Sequence, residues 1–166
     1  MPRENWENKP EYSKALAERV RRSGFRPDIV VAIKRGGTVP GKIIAQQLGA
    51  EYEEITAQRP ASASGRGGRT IGEALKFFQK PEIDEGTTSP VSNKKVLIVD
   101  NSISSGKTTE LVRRHLLGRG ALSANIRTAA LYYLAGLKQR KPPDYYLTHR
   151  NTRLFRPMAP KIPRQE

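Results

Sequence analysis

The chain is expected to be an α/β domain with a mostly parallel central sheet flanked by helices. Three observations lead there. Two apolar runs, Ile29–Ile33 (IVVAI) and the start of Val96–Asp100 (VLIVD), lack the polar alternation of a half-exposed strand, so both read as strands buried on two faces. Each is followed by a short turn and then a helical pattern, so a β-turn-α unit occurs twice in order. The 166 residues suffice for one domain, read as 1–166, with a core that needs no covalent staples.

The elements follow in chain order. In Glu11–Arg22, Tyr12, Leu16 and Val20 recur at helical spacing with charges opposite, and Ser23-Gly24 ends the helix. Strand Ile29–Ile33 leads to a turn over Lys34–Pro40, and Gly41–Leu48 is the next helix, closed by Gly49. Tyr52–Ala57 is a short strand. Residues 58–93 are rich in Gly, Ser and Arg and turn-rich toward their end, with Leu75, Phe77, Phe78 and Ile83 the main apolar exceptions, and read as a long mobile excursion with one hairpin or short helix inside. Val96–Asp100 is the clearest strand. A loop over Asn101–Lys107 and a helix over Thr108–Arg119 follow it, then strands over Asn125–Tyr133 and Asp144–Thr148. The tail, with Pro157, Pro160 and Pro163, is expected to be extended.

Composition narrows the chemistry. There is no cysteine, which excludes disulfides, thiolate metal sites and a cysteine nucleophile. His115 and His149 are too few for a His-rich metal centre. No apolar run approaches the ~18 residues of a membrane span, and the N-terminus lacks a signal-peptide core, so a soluble, cytoplasmic protein is expected. The net charge of +14 predicts attraction to polyanions such as nucleotides, diphosphates or nucleic acid.

In parallel sheets ligands gather at the carboxyl ends of strands, here Lys34–Thr38 and Asp100–Thr108. The second stretch combines a strand-ending acid with Ser104, Ser105, Gly106, Lys107 and Thr108 ahead of a helix. Hydroxyls, successive N–H groups and the positive helix end make a phosphate cradle, and Gly106 lets an anion approach the backbone. Gly106-Lys107-Thr108 matches the end of the P-loop pattern, but Asn101 stands where that pattern needs its first glycine.

VLIVDNSISSGKT resembles the phosphoribosyl-diphosphate (PRPP) loop of type I phosphoribosyltransferases. The resemblance extends over Asp28–Ala50, with Arg35-Gly36-Gly37 before Val39-Pro40, and over Leu131–Tyr133, Pro143–Leu147, Pro157 and Trp6. It is nearest to the xanthine–guanine and archaeal hypoxanthine branch. The resemblance implies a Rossmann-like sheet with a small C-terminal hood, here 134–166. The implied activity joins a purine-type nucleobase to PRPP and releases diphosphate, in a cytoplasmic homodimer using magnesium. It implies that Ser104–Thr108 hold the 5′-phosphate and that Lys34, Arg35 and Gly36 hold the diphosphate. Asp100, Asn101 and Ser104 occupy the catalytic acid positions, with Asp100 toward metal, while Leu134, Arg153 and Leu154 border the base. The segment 58–70, with Arg59, Arg66 and Arg69, would cover the reaction.

The chain departs from the family at four positions. Asn101 replaces the second acid and brings no charge. Ser104 replaces the third, and a serine hydroxyl is no general base near neutrality. Tyr133-Leu134-Ala135 lacks the lysine that reads the purine 6-oxo group, and Arg153 stands where an aromatic stacks on the base, with Phe155 as substitute. These losses, with the charge of +14 and the tyrosines and eight Lys or Arg near the C-terminus, define an alternative. It is a catalytically impaired regulator that binds PRPP or a nucleotide and contacts nucleic acid.

Overall fold

The computed structural model describes residues 6–58, 82–134, 142–150 and 160–162. After a 3-10 turn at Trp6–Asn8 come helix α1 (Pro10–Arg22), strand β1 (Ile29–Ile33), α2 (Thr38–Leu48), β2 (Glu51–Gln58) and β3 (Glu82–Glu85). Strand β4 (Val96–Ile103), α3 (Lys107–Gly118), a 3-10 turn at Ser123–Asn125, β5 (Ile126–Leu134) and β6 (Tyr145–Arg150) complete the order. The six strands form one sheet in the order β3-β2-β1-β4-β5-β6. All pairings are parallel except β2 with β3, as the expected mostly parallel sheet requires.

The unbroken apolar runs are explained by alternation within the sheet. Val30, Leu97, Val99 and Leu131 face one side and pack with Leu16, Ala17 and Val20 of α1 and Ile44 of α2. Ile29, Val31, Ile33, Val96, Ile98 and Ile126 face the other and pack with Val112 and Leu116 of α3. Both faces of β1 and β4 are therefore dry. Each such side chain contributes roughly 1.5–3 kcal/mol relative to exposure.

Four expectations need correction. Helix α2 starts at Thr38 rather than Gly41. Pro40 falls in its first turn, where N–H groups have no intrahelical partner, so the ring is tolerated there. Strand β4 runs on to Ile103 instead of ending at Asp100, because Ser102 and Ile103 pair with Tyr132 and Tyr133 of β5 and Ile103 is buried. The anticipated seven-residue loop thus shrinks to Ser104–Gly106. The end of the 58–93 excursion is built into the molecule, since β3 pairs with β2 and Thr87 and Val91 are buried. Finally, Tyr145–Arg150, assigned with the C-terminal hood, extends the main sheet beside β5. The remaining excursion, with Arg59, Arg66, Arg69, Leu75, Phe77 and Phe78, lies outside the described residues, as do Arg153, Leu154 and Phe155.

Candidate active site

The strand order turns around between β1 and β4. From β1 the chain crosses by α2 to β2 on one side, and from β4 it crosses by α3 to β5 on the other. The crossover helices diverge there, and a crevice opens at the carboxyl ends of the two central strands.

At the end of β4 the crevice deepens into a cleft of about 230 Å³, lined by Asp100, Ser102, Ile103, Ser104, Gly106, Thr108 and Thr109. Gly106 is the N-cap of α3 and sits at φ +72, with no side-chain oxygen capping the helix. Lys107 N donates to Ser105 Oγ at 3.4 Å, a long bond, and the first helical bond is Glu110 N to Gly106 O at 2.9 Å. The helix start therefore offers N–H groups and four neighbouring hydroxyls to an anion. Asp100 is half-buried at the cleft, and its Oδ1 accepts from Asn101 N at 2.7 Å.

Across the crevice, the β1–α2 turn puts Lys34 and Arg35 on the surface. Lys34 N donates to Ile55 O at 2.9 Å, continuing the ladder, so its carboxyl-end position is set by the sheet. Arg35 takes φ +74. Gly36 and Gly37 then pass close to β4, where a side chain at Gly37 would strike backbone and one at Gly36 would have to displace the Asn101 amide. A Cβ at Gly36 would lie 2.0 Å from Asn101 Oδ1, and one at Gly37 would lie 2.4 Å from the Val99 carbonyl oxygen. The two motifs meet through these contacts.

The expected site residues divide accordingly. Asp100, Ser104, Gly106 and Thr108 line the cleft, with Ser105 and Lys107 in the same bend. Lys34, Arg35 and Gly36 form the opposing turn. The Asn101 side chain is turned away from the cleft lining, onto Glu7 and Gly36. Leu134 is half-buried against the core cluster that holds Leu131 and Tyr132. Ser102 and Thr109 line the cleft without having been anticipated. Ser102 would have followed from two-residue alternation after Asp100, had the strand been extended.

At the ends of β5 and β6, Tyr133 and His149 are paired across the register and stack at 5.5 Å, and Tyr146 meets Tyr133 edge-on at 4.7 Å. Tyr132 and Tyr145 instead pack with the core cluster that holds Leu131.

The donor set fits a magnesium ion held jointly with substrate. Asp100 supplies one carboxylate beside several hydroxyls, and Mg²⁺ keeps waters and takes substrate phosphate oxygens for its remaining positions. Among the described residues no group of three or more His, Asp or Glu is placed to hold a metal alone. No described helix is long and apolar enough to cross a membrane.

The family defined as the phosphoribosyl transferase domain matches residues 5–154. A xanthine-guanine phosphoribosyltransferase of Ruegeria sp. is 35% identical over 116 residues, covering 66% of this chain and 61% of the relative. One of Roseobacter denitrificans is 35% identical over 117 residues with the same coverage. The match thus spans about three fifths of these relatives' length. The crystal structure of a purine phosphoribosyltransferase from Pyrococcus horikoshii superposes with a TM-score of 0.65 at 26% identity, covering 87% of this chain and 83% of that one.

Proposed function

The chain belongs to the phosphoribosyl transferase domain family, and from that premise we propose that it joins a purine-type nucleobase to PRPP with release of diphosphate. The observation that carries this reading is the hydroxyl-rich cleft at the end of β4, directly across the crevice from the Lys34–Gly37 turn. One side suits a sugar 5′-phosphate and the other a diphosphate, at the separation of adjacent strands.

In the reaction a base nitrogen bonds to the anomeric carbon while the bond from that carbon to the diphosphate oxygen breaks, its electron pair leaving with diphosphate. The proton that the base sheds passes to the diphosphate or to water. Ser104–Thr108 hold the 5′-phosphate through hydroxyls and the N–H groups that open α3. Asp100 accepts from ribose hydroxyls and balances the positive charge that develops on the sugar. Lys34, Arg35 and the Gly36 N–H take up the charge that collects on the departing diphosphate. Magnesium, when bound with substrate at Asp100, would add charge neutralisation on the phosphate oxygens. Ser104 removes no proton, so the rate comes from orientation and charge stabilisation. The rings of Tyr133 and His149, stacked at the ends of β5 and β6, give the base a stacking wall. The cytoplasmic homodimer implied by the resemblance belongs to the same reading, and sedimentation analysis tests the assembly.

Incubation of the protein with PRPP, magnesium and radiolabelled guanine, xanthine, hypoxanthine or adenine should yield nucleotide and diphosphate. No product with any base would overturn the activity. Calorimetry then tests the site: Gly106→Val adds a β-branched side chain at φ +72, facing the place assigned to the 5′-phosphate, and should weaken PRPP binding by about tenfold or more. Unchanged affinity would move the phosphate elsewhere.

A further inference from the structure

We propose that Glu7 is a positioning residue for the diphosphate-binding turn and acts on it through Asn101. The proposal rests on the reading of Lys34–Gly36 given above.

Glu7 lies in the 3-10 turn Trp6–Asn8 and is buried, at 4% exposure. The turn is anchored by Trp6, whose ring sits 4.9 Å from that of Tyr12 on α1 and 6.0 Å from that of Tyr132 on β5. From this fixed point Glu7 Oε2 accepts a hydrogen bond from Asn101 Nδ2 at 3.2 Å. A carboxylate can only accept, so the bond decides which end of the amide faces it. The other end, Oδ1, then falls on Gly36 and accepts a long bond from Ser102 Oγ at 3.4 Å. Gly36 follows Arg35, which is held at φ +74. A continuous set of contacts runs from the N-terminal turn, through the end of β4, to the turn that faces the diphosphate.

This arrangement accounts for the amide at position 101. An aspartate there would set a second carboxylate against a buried one, which costs both desolvation and repulsion. Asparagine satisfies Glu7 and keeps the same shape over Gly36. The carboxylate that the resemblance leads one to expect on β4 is thus carried by the segment that packs behind it. Glu7 touches no reacting atom on this account. It holds the amide that braces the turn.

The reciprocal exchange tests the proposal on the full chain. Asn101→Asp alone should lower the ligand-free thermal midpoint by about 3 °C or more. It should also weaken binding of inorganic diphosphate in magnesium buffer by about tenfold. Adding Glu7→Gln re-forms the amide–carboxylate pair in reverse and should recover both. A loss of stability alone would leave diphosphate binding unmoved in folded protein, which separates positioning from a structural role. If Asn101→Asp does not fold, Glu7→Ala takes its place, with about tenfold weaker diphosphate binding that Glu7→Gln restores. No recovery in the double variant, or unchanged diphosphate binding in Glu7→Ala, overturns the proposal. A wild-type protein that takes up no diphosphate overturns it together with the reading of the turn, whereas the ligand-free midpoints still report whether residues 7 and 101 are paired.

Discussion

Arg35 carries a β-carbon through a backbone region that costs L-residues about 1–2 kcal/mol, at φ +74. A glycine would sit there at ease, and two follow immediately. The cation is therefore retained at a conformational cost, which suits a residue kept for charge. Arg35→Gly should leave the thermal midpoint level or raised while weakening diphosphate binding severalfold, measured by calorimetry beside thermal unfolding. Equal losses in both would make Arg35 a structural residue. Asp100 and Gly106 could be picked out in the sequence as cleft residues because their immediate neighbours mark them, an apolar strand before the acid and a helix start after the glycine. Asn101 could be recognised only as a missing acid. Its hydrogen-bond partner is 94 residues away, and nothing in Trp6-Glu7-Asn8 marks a carboxylate bound for β4.

Among the elements, the stretch after β3 has the clearest dependence on conditions. Glu53 on β2 accepts from Ser89 N at 2.8 Å, from Thr88 N and Thr88 Oγ1 at 3.2 Å, and from Ser89 Oγ. Burial pushes its carboxyl up, but these hydrogen bonds outweigh burial and hold it below its usual value. His115 on α3 packs its ring onto Gly86, where a Cβ would lie 2.6 Å from the imidazole. Its Nε2 is buried and has no hydrogen-bond partner among the described residues. Burial first, then the Arg119 guanidinium, lowers its proton affinity. Arg119 also donates to the Thr88 carbonyl oxygen at 3.2 Å. Both groups bind protons less readily folded than unfolded. Their stabilisation is therefore complete above the ordinary values, 6.5 for the imidazole and 4.5 for the carboxyl, and is lost as pH falls below each in turn. The thermal midpoint should drop between pH 7.5 and pH 5.5, with amide protection factors, corrected for the intrinsic rate at each pH, falling first at residues 86–89. His115→Gln, neutral throughout, should flatten that part of the profile. The sequence marked this stretch as turn-rich but showed no reason for its order, because the reason lies in single polar contacts with β2 and α3.

For the whole molecule, the charge of +14 sets a long-range field. It should speed capture of an anionic substrate, and the association rate of PRPP should fall by about tenfold as ionic strength rises from about 20 mM to about 300 mM. Stopped-flow binding at several salt concentrations checks this, and a flat profile would leave the excess charge without a part in capture. Fold class, the two central strands, their following helices and the serine-rich bend between β4 and α3 were all determined by the sequence itself. Apolar runs, helical periodicity and capping residues act over a few positions and leave their mark there. Only the tertiary structure decided that β4 continues to Ile103, that 82–93 joins the body, and that Asn101 turns toward Glu7 and Gly36. Each of those outcomes depends on which surface arrives from a distant part of the chain, and pairing and packing between distant segments leave no periodic signature in either one.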